Sequence, residues 1–182
     1  MKKIILISLS VILALIIGVV LYGVLVVSKK SPIKTTEFSS NGLDLKVVYC
    51  QPYKKGRVIF GEESQGALQP YGKYWRLGAN AATEITFSKN VNFGGKPINA
   101  GTYRMYAVPG SSAFVIALNS ELGVYFGVNE PDYSKDVLKI DVPVETAPET
   151  EQLTINFAND STGVMMNVLW DTTKLSVPIT AQ

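Results

Sequence analysis

The chain has 182 residues, 17 basic and 15 acidic, with no histidine and a single cysteine. Beyond an apolar N-terminal segment roughly 150 residues remain, enough for one domain with a substantial core. Cys50 alone cannot close an intramolecular disulfide, and without histidine neither a zinc site of several Cys or His ligands nor an imidazole-activated nucleophile is expected, so no cofactor or metal is assigned. Four of the basic residues (Lys2, Lys3, Lys29, Lys30) flank the apolar segment and all the acids lie beyond it, which leaves the domain slightly acidic. That balance offers no electrostatic footprint for nucleic acid, which is not expected as a partner.

Ile4 to Val27 carries no charge, and an apolar helix of about 20 residues spans a bilayer. The Met-Lys-Lys start resembles a secretory signal, but the run is long and no small-x-small cleavage site precedes Ser28. An uncleaved signal-anchor is expected, with the lipid bilayer as partner through Ile4 to Val27. The predicted location is the bacterial inner membrane, single-pass, with the C-terminal domain extracytoplasmic (periplasmic). The alternative is secretion after cleavage. Lys2 and Lys3 face Lys29, Lys30 and Lys34 across the span, so charge alone does not orient it. The organisation is then 1–30 anchor, 31–42 linker and 43–182 domain.

Within the domain, a turn is predicted at Asn41-Gly42 and a half-buried strand from Leu43 to Tyr49, ended by Pro52. Lys54-Lys55-Gly56-Arg57 reads as a cationic turn before the apolar Val58-Ile59-Phe60. Glu84 to Ser88 alternates, and Val91-Asn92-Phe93 leads into a turn at Gly94-Gly95-Lys96-Pro97. Thr102 to Val108 and Ala113 to Leu118 bracket the hairpin loop Pro109-Gly110-Ser111-Ser112. Val137 to Val144 is a strand with Leu138, Ile140 and Val142 inward; Glu145 to Glu151 reads as an exposed loop. Leu153, Ile155 and Phe157 mark another strand, and Val164 to Trp170 reads as a central strand covered on both faces. Pro178, after Leu175 and Val177, suggests an edge. About nine short strands and no convincing helical period predict an all-β fold, an antiparallel β-sandwich of jelly-roll or barrel-like form, preceded by one transmembrane helix.

One stretch is unusually dense in binding chemistry: Pro70-Tyr71-Gly72-Lys73-Tyr74-Trp75-Arg76-Leu77-Gly78-Ala79-Asn80. Its aromatics suit stacking on a ring, and Lys73, Arg76 and Asn80 suit a carboxylate, phosphate or hydroxyl. The structural alternative makes Trp75 a core plug, has Arg76 and Asn80 satisfy loop backbone groups, and uses the glycines for positive φ. The candidate ligand-binding residues are Arg57, Tyr71, Lys73, Trp75, Arg76 and Asn80. No catalytic residue is assigned. Gly94-Gly95-Lys96 lacks the remainder of a phosphate loop, and Ser31-x-x-Lys34 lacks the companion motifs of penicillin-binding enzymes. Glu130, Asp132 and Asp136 lack calcium-loop spacing, and Glu84 with Asp136 is the least arbitrary carboxylate pair for a glycosidase-like reaction.

Ser31-Pro32, Pro52 to Gly61, Pro70 to Asn80 with Thr83, Gly94 to Pro97 and Ala100 to Tyr103 occur in an order and spacing that resemble an uncharacterised, mostly secreted bacterial family, the domain of unknown function twenty-nine eleven. The resemblance runs from Ser31 to about Ile179 and implies an extracytoplasmic all-β domain with no established activity. Where that family often has an arginine before Pro52 and a glutamate after Asn80, this chain has Gln51 and Ala81. The expected function is non-enzymatic binding of a small ligand, glycan or envelope protein through the Pro70 to Asn80 loop. The alternatives are a hydrolase acting on envelope saccharides or esters, and a structural assembly module.

Overall fold

The computed structural model describes residues 2–23, 30–124 and 129–182, with side chains in the first helix described only at 8, 10–19 and 21–23. Helix α1 runs Lys2–Tyr22. Among the described residues no helix is long and apolar enough to cross a membrane. The crossing expected at Ile4 to Val27 falls in part on residues outside those described.

The described residues then form eleven strands: β1 (Ile33–Ser40), β2 (Leu43–Cys50), β3 (Phe60–Gly61), β4 (Gln69–Pro70), β5 (Thr83–Phe87), β6 (Val91–Phe93), β7 (Lys96–Ile98), β8 (Gly101–Val108), β9 (Ala113–Asn119), β10 (Asp136–Asp160) and β11 (Gly163–Ala181). Nine of them form one antiparallel sheet in the order β1-β2-β5-β8-β9-β10-β11-β6-β7, while β3 and β4 make a small parallel pair. The period of two in the sequence explains the strands. In β2 Leu43, Leu45, Val47 and Tyr49 are buried while Asp44 and Lys46 are exposed.

The sheet curls around one core through β10, whose first part pairs with β9 and whose second part pairs with β11. Register shifts between Thr146 and Thr154 let the strand bend without ending. Glu145 to Glu151, expected as a loop, is therefore strand; its exposure misled the reading, because a bulged strand turns its side chains to water much as a loop does. The curl brings β1 and β2 against the far end of β10. The Tyr49 hydroxyl accepts from the Ile155 N–H at 2.9 Å, Thr36 Oγ1 donates to the Ile155 carbonyl at 3.1 Å, and Ser40 Oγ meets Asn159 Oδ1 at 2.9 Å. Side chains thus satisfy backbone groups that an open edge would leave to water.

Three local expectations need correction. Residues 31–42, expected as a linker, contain β1, which pairs with β2 from Ile33↔Cys50 to Ser40↔Leu43 across Asn41-Gly42. Its polar sequence reflects a largely exposed strand. Val164 to Trp170 buries only Val164, Met166, Val168 and Trp170, and leaves Met165 and Leu169 half-buried. Pro178 is not on an edge strand: β11 is flanked by β10 and β6, and the β6 ladder begins only at Ile179. The Pro178 carbonyl still accepts the Gly94 N–H at 2.8 Å, so the missing proline N–H costs no ladder bond.

Candidate functional site

The Pro70 to Asn80 stretch lies across the end of β8. Beyond the last β5 pair, at Thr83↔Met105, the backbone of Ala107 is taken by Trp75, with both N–H···O bonds at 2.8 Å. Gly72, at φ 74°, turns the chain so that its N–H reaches the Pro109 carbonyl at 2.8 Å. At the other end, Thr83 Oγ1 donates to the buried Leu77 carbonyl at 2.8 Å. Gly78 is needed for close approach, since a Cβ there would lie 2.9 Å from the Cys50 carbonyl oxygen. Leu77 itself is fully buried at φ 54°, a left-handed conformation that costs a branched residue about 1–3 kcal/mol.

A second segment, 52–57, faces this loop and is tied to β10 and β11. Lys54 N–H donates to the Glu151 carbonyl at 2.7 Å, Leu153 N–H donates to the Pro52 carbonyl at 3.0 Å, and Lys54 Nζ bridges Glu149 and Asp171 at 2.7 Å each. Hydrogen bonds to Asp171 and then Glu149 push the Lys54 ammonium well above the ordinary lysine range. Arg57 is exposed and closes the turn with its guanidinium on the Lys54 and Tyr53 carbonyls.

Between the two segments lies an open cavity of about 580 Å³. Its floor includes Trp75 and Trp170, both buried and stacked with centroids 5.9 Å apart and planes 22° apart. Phe60 stands edge-on to both, at 5.1 and 6.0 Å. Among the described residues neither indole N–H has a hydrogen-bond partner. Lys30, Lys55, Arg57 and Arg76 supply four cations to the walls, Gln69, Asn80, Tyr53 and Tyr74 add polar groups, and among the described residues no Asp or Glu lines the cavity. Among the described residues none of these four cations pairs with a carboxylate, and the side chains of Arg76 and Asn80 make no hydrogen bond. Of the five non-glycine residues with positive φ, Lys55 and Asn80 line the cavity, Leu77 follows Arg76, and Asp171 follows Trp170. Backbone strain is thus gathered around one surface. A lining with four cations and no carboxylate among the described residues can hold an oxyanion and repels a cation.

Of the six residues expected from sequence, Arg57, Trp75, Arg76 and Asn80 line the cavity. Tyr71 and Lys73 do not. Tyr71 is half-buried and its backbone donates to the Gly61 carbonyl, while the exposed Lys73 faces Glu63 at 3.9 Å. The turn at Gly72 swings both away. The core-plug alternative describes the burial of Trp75, but Arg76 and Asn80 do not satisfy loop backbone groups. Sequence reading missed Trp170, because its alternation within β11 marks only the core, and missed Lys30, because its place beside an apolar run explains it already. Lys55 had a usable signal in the cationic turn.

A second polar cluster lies away from the cavity mouth. Arg104, 1% exposed at its side chain, donates to Glu121 at 2.7 Å, to the Tyr74 hydroxyl at 2.7 Å and to the Asn129 carbonyl at 3.1 Å. Nearby, Asp136 accepts from Asn119 at 2.7 Å and Tyr106 at 2.8 Å and pairs with Lys139 at 2.8 Å. Burial works against ionising Asp136, yet the Lys139, Asn119 and Tyr106 hydrogen bonds outweigh it and hold its carboxyl below the ordinary range. Burial, then the Asp136 hydrogen bond, raises the Tyr106 phenol far above its ordinary value. Glu84, the other acid of the postulated pair, accepts from the Gly123 N–H at 2.8 Å. Neither acid lines the cavity. Asp132 caps a short turn by accepting from the Ser134 N–H at 3.0 Å. Among the described residues no cluster of three acids or cysteines is arranged to hold a metal.

The lowered Asp136 fixes a sign for pH dependence. Its folded-state pKa lies below its unfolded value of about 3.9, so the stabilisation is complete above that value and is lost as pH falls through the folded value. Urea unfolding at a series of pH values is expected to show stability falling below about pH 4, with a shallower fall in Asp136→Asn. An unchanged slope would contradict the assignment.

No curated protein and no solved structure matches the chain. The model of a protein family of unknown function, DUF2911, matches residues 31–179, from Ser31 at the cavity to Ile179 in β11, and the chain belongs to that family.

Proposed function

We propose that this chain is a membrane-anchored, extracytoplasmic β protein that binds a small anionic ligand, without chemical turnover, between Arg57, Arg76, Asn80 and the Trp75–Trp170 floor. The observation that carries the reading is the lining, which among the described residues has four cations and no acid, above a floor whose two indole N–H groups are enclosed and lack a partner. An unpaired buried donor costs about 1–3 kcal/mol, which an oxyanion accepting from it would recover. The volume of about 580 Å³ lies within the range of small-molecule sites. A neutral glycan would leave the cations unused, and a proton-transferring hydrolase would lack a lining carboxylate. Anchoring is supported by the uncharged run Ile4 to Val27.

Calorimetric titration of the full chain in detergent with glycerol phosphate, glycerol and choline tests the reading. Saturable binding is expected for the phosphate alone, weakened by about tenfold or more in Arg76→Gln, since a hydrogen bond to a charged group contributes about 1.5–3 kcal/mol. Arg76 is half-buried, and among the described residues its side chain makes no hydrogen bond or ion pair. Equal or tighter binding of choline would overturn the proposal.

A further inference from the structure

We infer that the anion held in this cavity is the phosphodiester of a membrane lipid headgroup, drawn from the leaflet beside Lys30. This rests on the anion-binding reading above and identifies its ligand. Lys30 and Ser31 line the cavity, and Lys30 stands three residues after Val27, the end of the uncharged run. Three extended residues reach at most about 10 Å, and the headgroup layer outside the hydrocarbon is about 5–8 Å deep on each side. A cavity that includes Lys30 is therefore within reach of lipid phosphates.

The mouth has the matching chemistry. Leu68 lines it at 36% exposure, its N–H bonded to the carbonyl of Val58, which is 49% exposed; Ile33, two residues beyond Ser31, is 68% exposed. Three exposed apolar side chains on the segments bounding a cationic cavity suit the boundary between headgroup and acyl chain. A soluble anion would need the cations but has no use for the apolar rim. Three acids lie beside the lining segment 52–57: Glu149 and Asp171 are held by Lys54, and Glu151 accepts the Lys55 N–H at 2.9 Å.

The chain contains only two tryptophans, and both lie in the floor, so intrinsic fluorescence reads the cavity directly. The full chain in maltoside micelles, which contain no phosphate, is titrated with phosphatidylglycerol or with glycerol phosphate. Phosphatidylglycerol is expected to shift the emission saturably and to bind at least about tenfold tighter than glycerol phosphate. The lipid shift should be lost in Arg57→Gln and Arg76→Gln and kept in Lys46→Gln, an exposed cation of β2 paired with Glu37. Glycerol phosphate binding as tightly as the lipid would overturn the lipid source and leave the anion site standing. No response to either would remove the anion site itself. Equal loss in Lys46→Gln would show unspecific charge attraction and overturn the inference.

Discussion

Replacing Trp75 with alanine is expected to lower the unfolding free energy by about 4 kcal/mol, as truncation of a buried aromatic does. Trp75 is 2% exposed and packs against Phe60, Trp170 and Phe114 with centroids 5.1, 5.9 and 6.5 Å away. Urea unfolding followed by far-ultraviolet circular dichroism measures the loss. Trp75→Phe separates packing from chemistry: a ring remains in the aromatic cluster, so the stability cost should be nearer 1 kcal/mol. That variant removes an indole N–H without a protein partner, and phosphate binding should weaken by about tenfold. Full binding by Trp75→Phe would make Trp75 a packing residue only.

Arg104→Met is the second large effect, with an expected loss of about 3 kcal/mol. Removing one member of a buried pair costs about 3–5 kcal/mol, and the lower end applies because the Glu121 side chain is 31% exposed and can rehydrate. Methionine keeps much of the arginine stem's packing, so the change reports lost charge-assisted bonds to Glu121 and the Tyr74 hydroxyl. Since Tyr74 also lines the cavity, a modest loss of ligand affinity should accompany it. A loss below about 1 kcal/mol, the size of an exposed pair, would show that the buried guanidinium is not held by these partners.

Strand positions were largely legible because alternation survives wherever one face is buried, as in Leu43 to Tyr49 and in Leu138, Ile140 and Val142. The failures share a cause. Ile33 to Ser40 and Glu145 to Glu151 have exposed backbone segments with polar side chains, and their strand character comes from partners, β2 and β11, that local sequence does not reveal. The long bend of β10, which turns nine strands into one curled sheet, depends on register shifts that have no composition signature. Within the site, Arg57, Trp75, Arg76 and Asn80 were visible as chemistry concentrated in short loops. Trp170 lies ninety residues beyond Asn80 in sequence and reaches the floor next to Asp171, whose φ is 56°. Tyr71 and Lys73 looked equivalent to their neighbours until the turn at Gly72 separated them.

The most direct test watches the two indole N–H groups themselves. With tryptophan at only two positions, a ¹⁵N-labelled full chain in maltoside micelles has one indole resonance each for Trp75 and Trp170, assigned with Trp75→Phe. On titration with glycerol phosphate both resonances are predicted to move downfield and saturate together, and to stay in place in Arg76→Gln. Indole resonances that hold still while exposed lysine-rich segments shift would contradict an anion site on the Trp75–Trp170 floor.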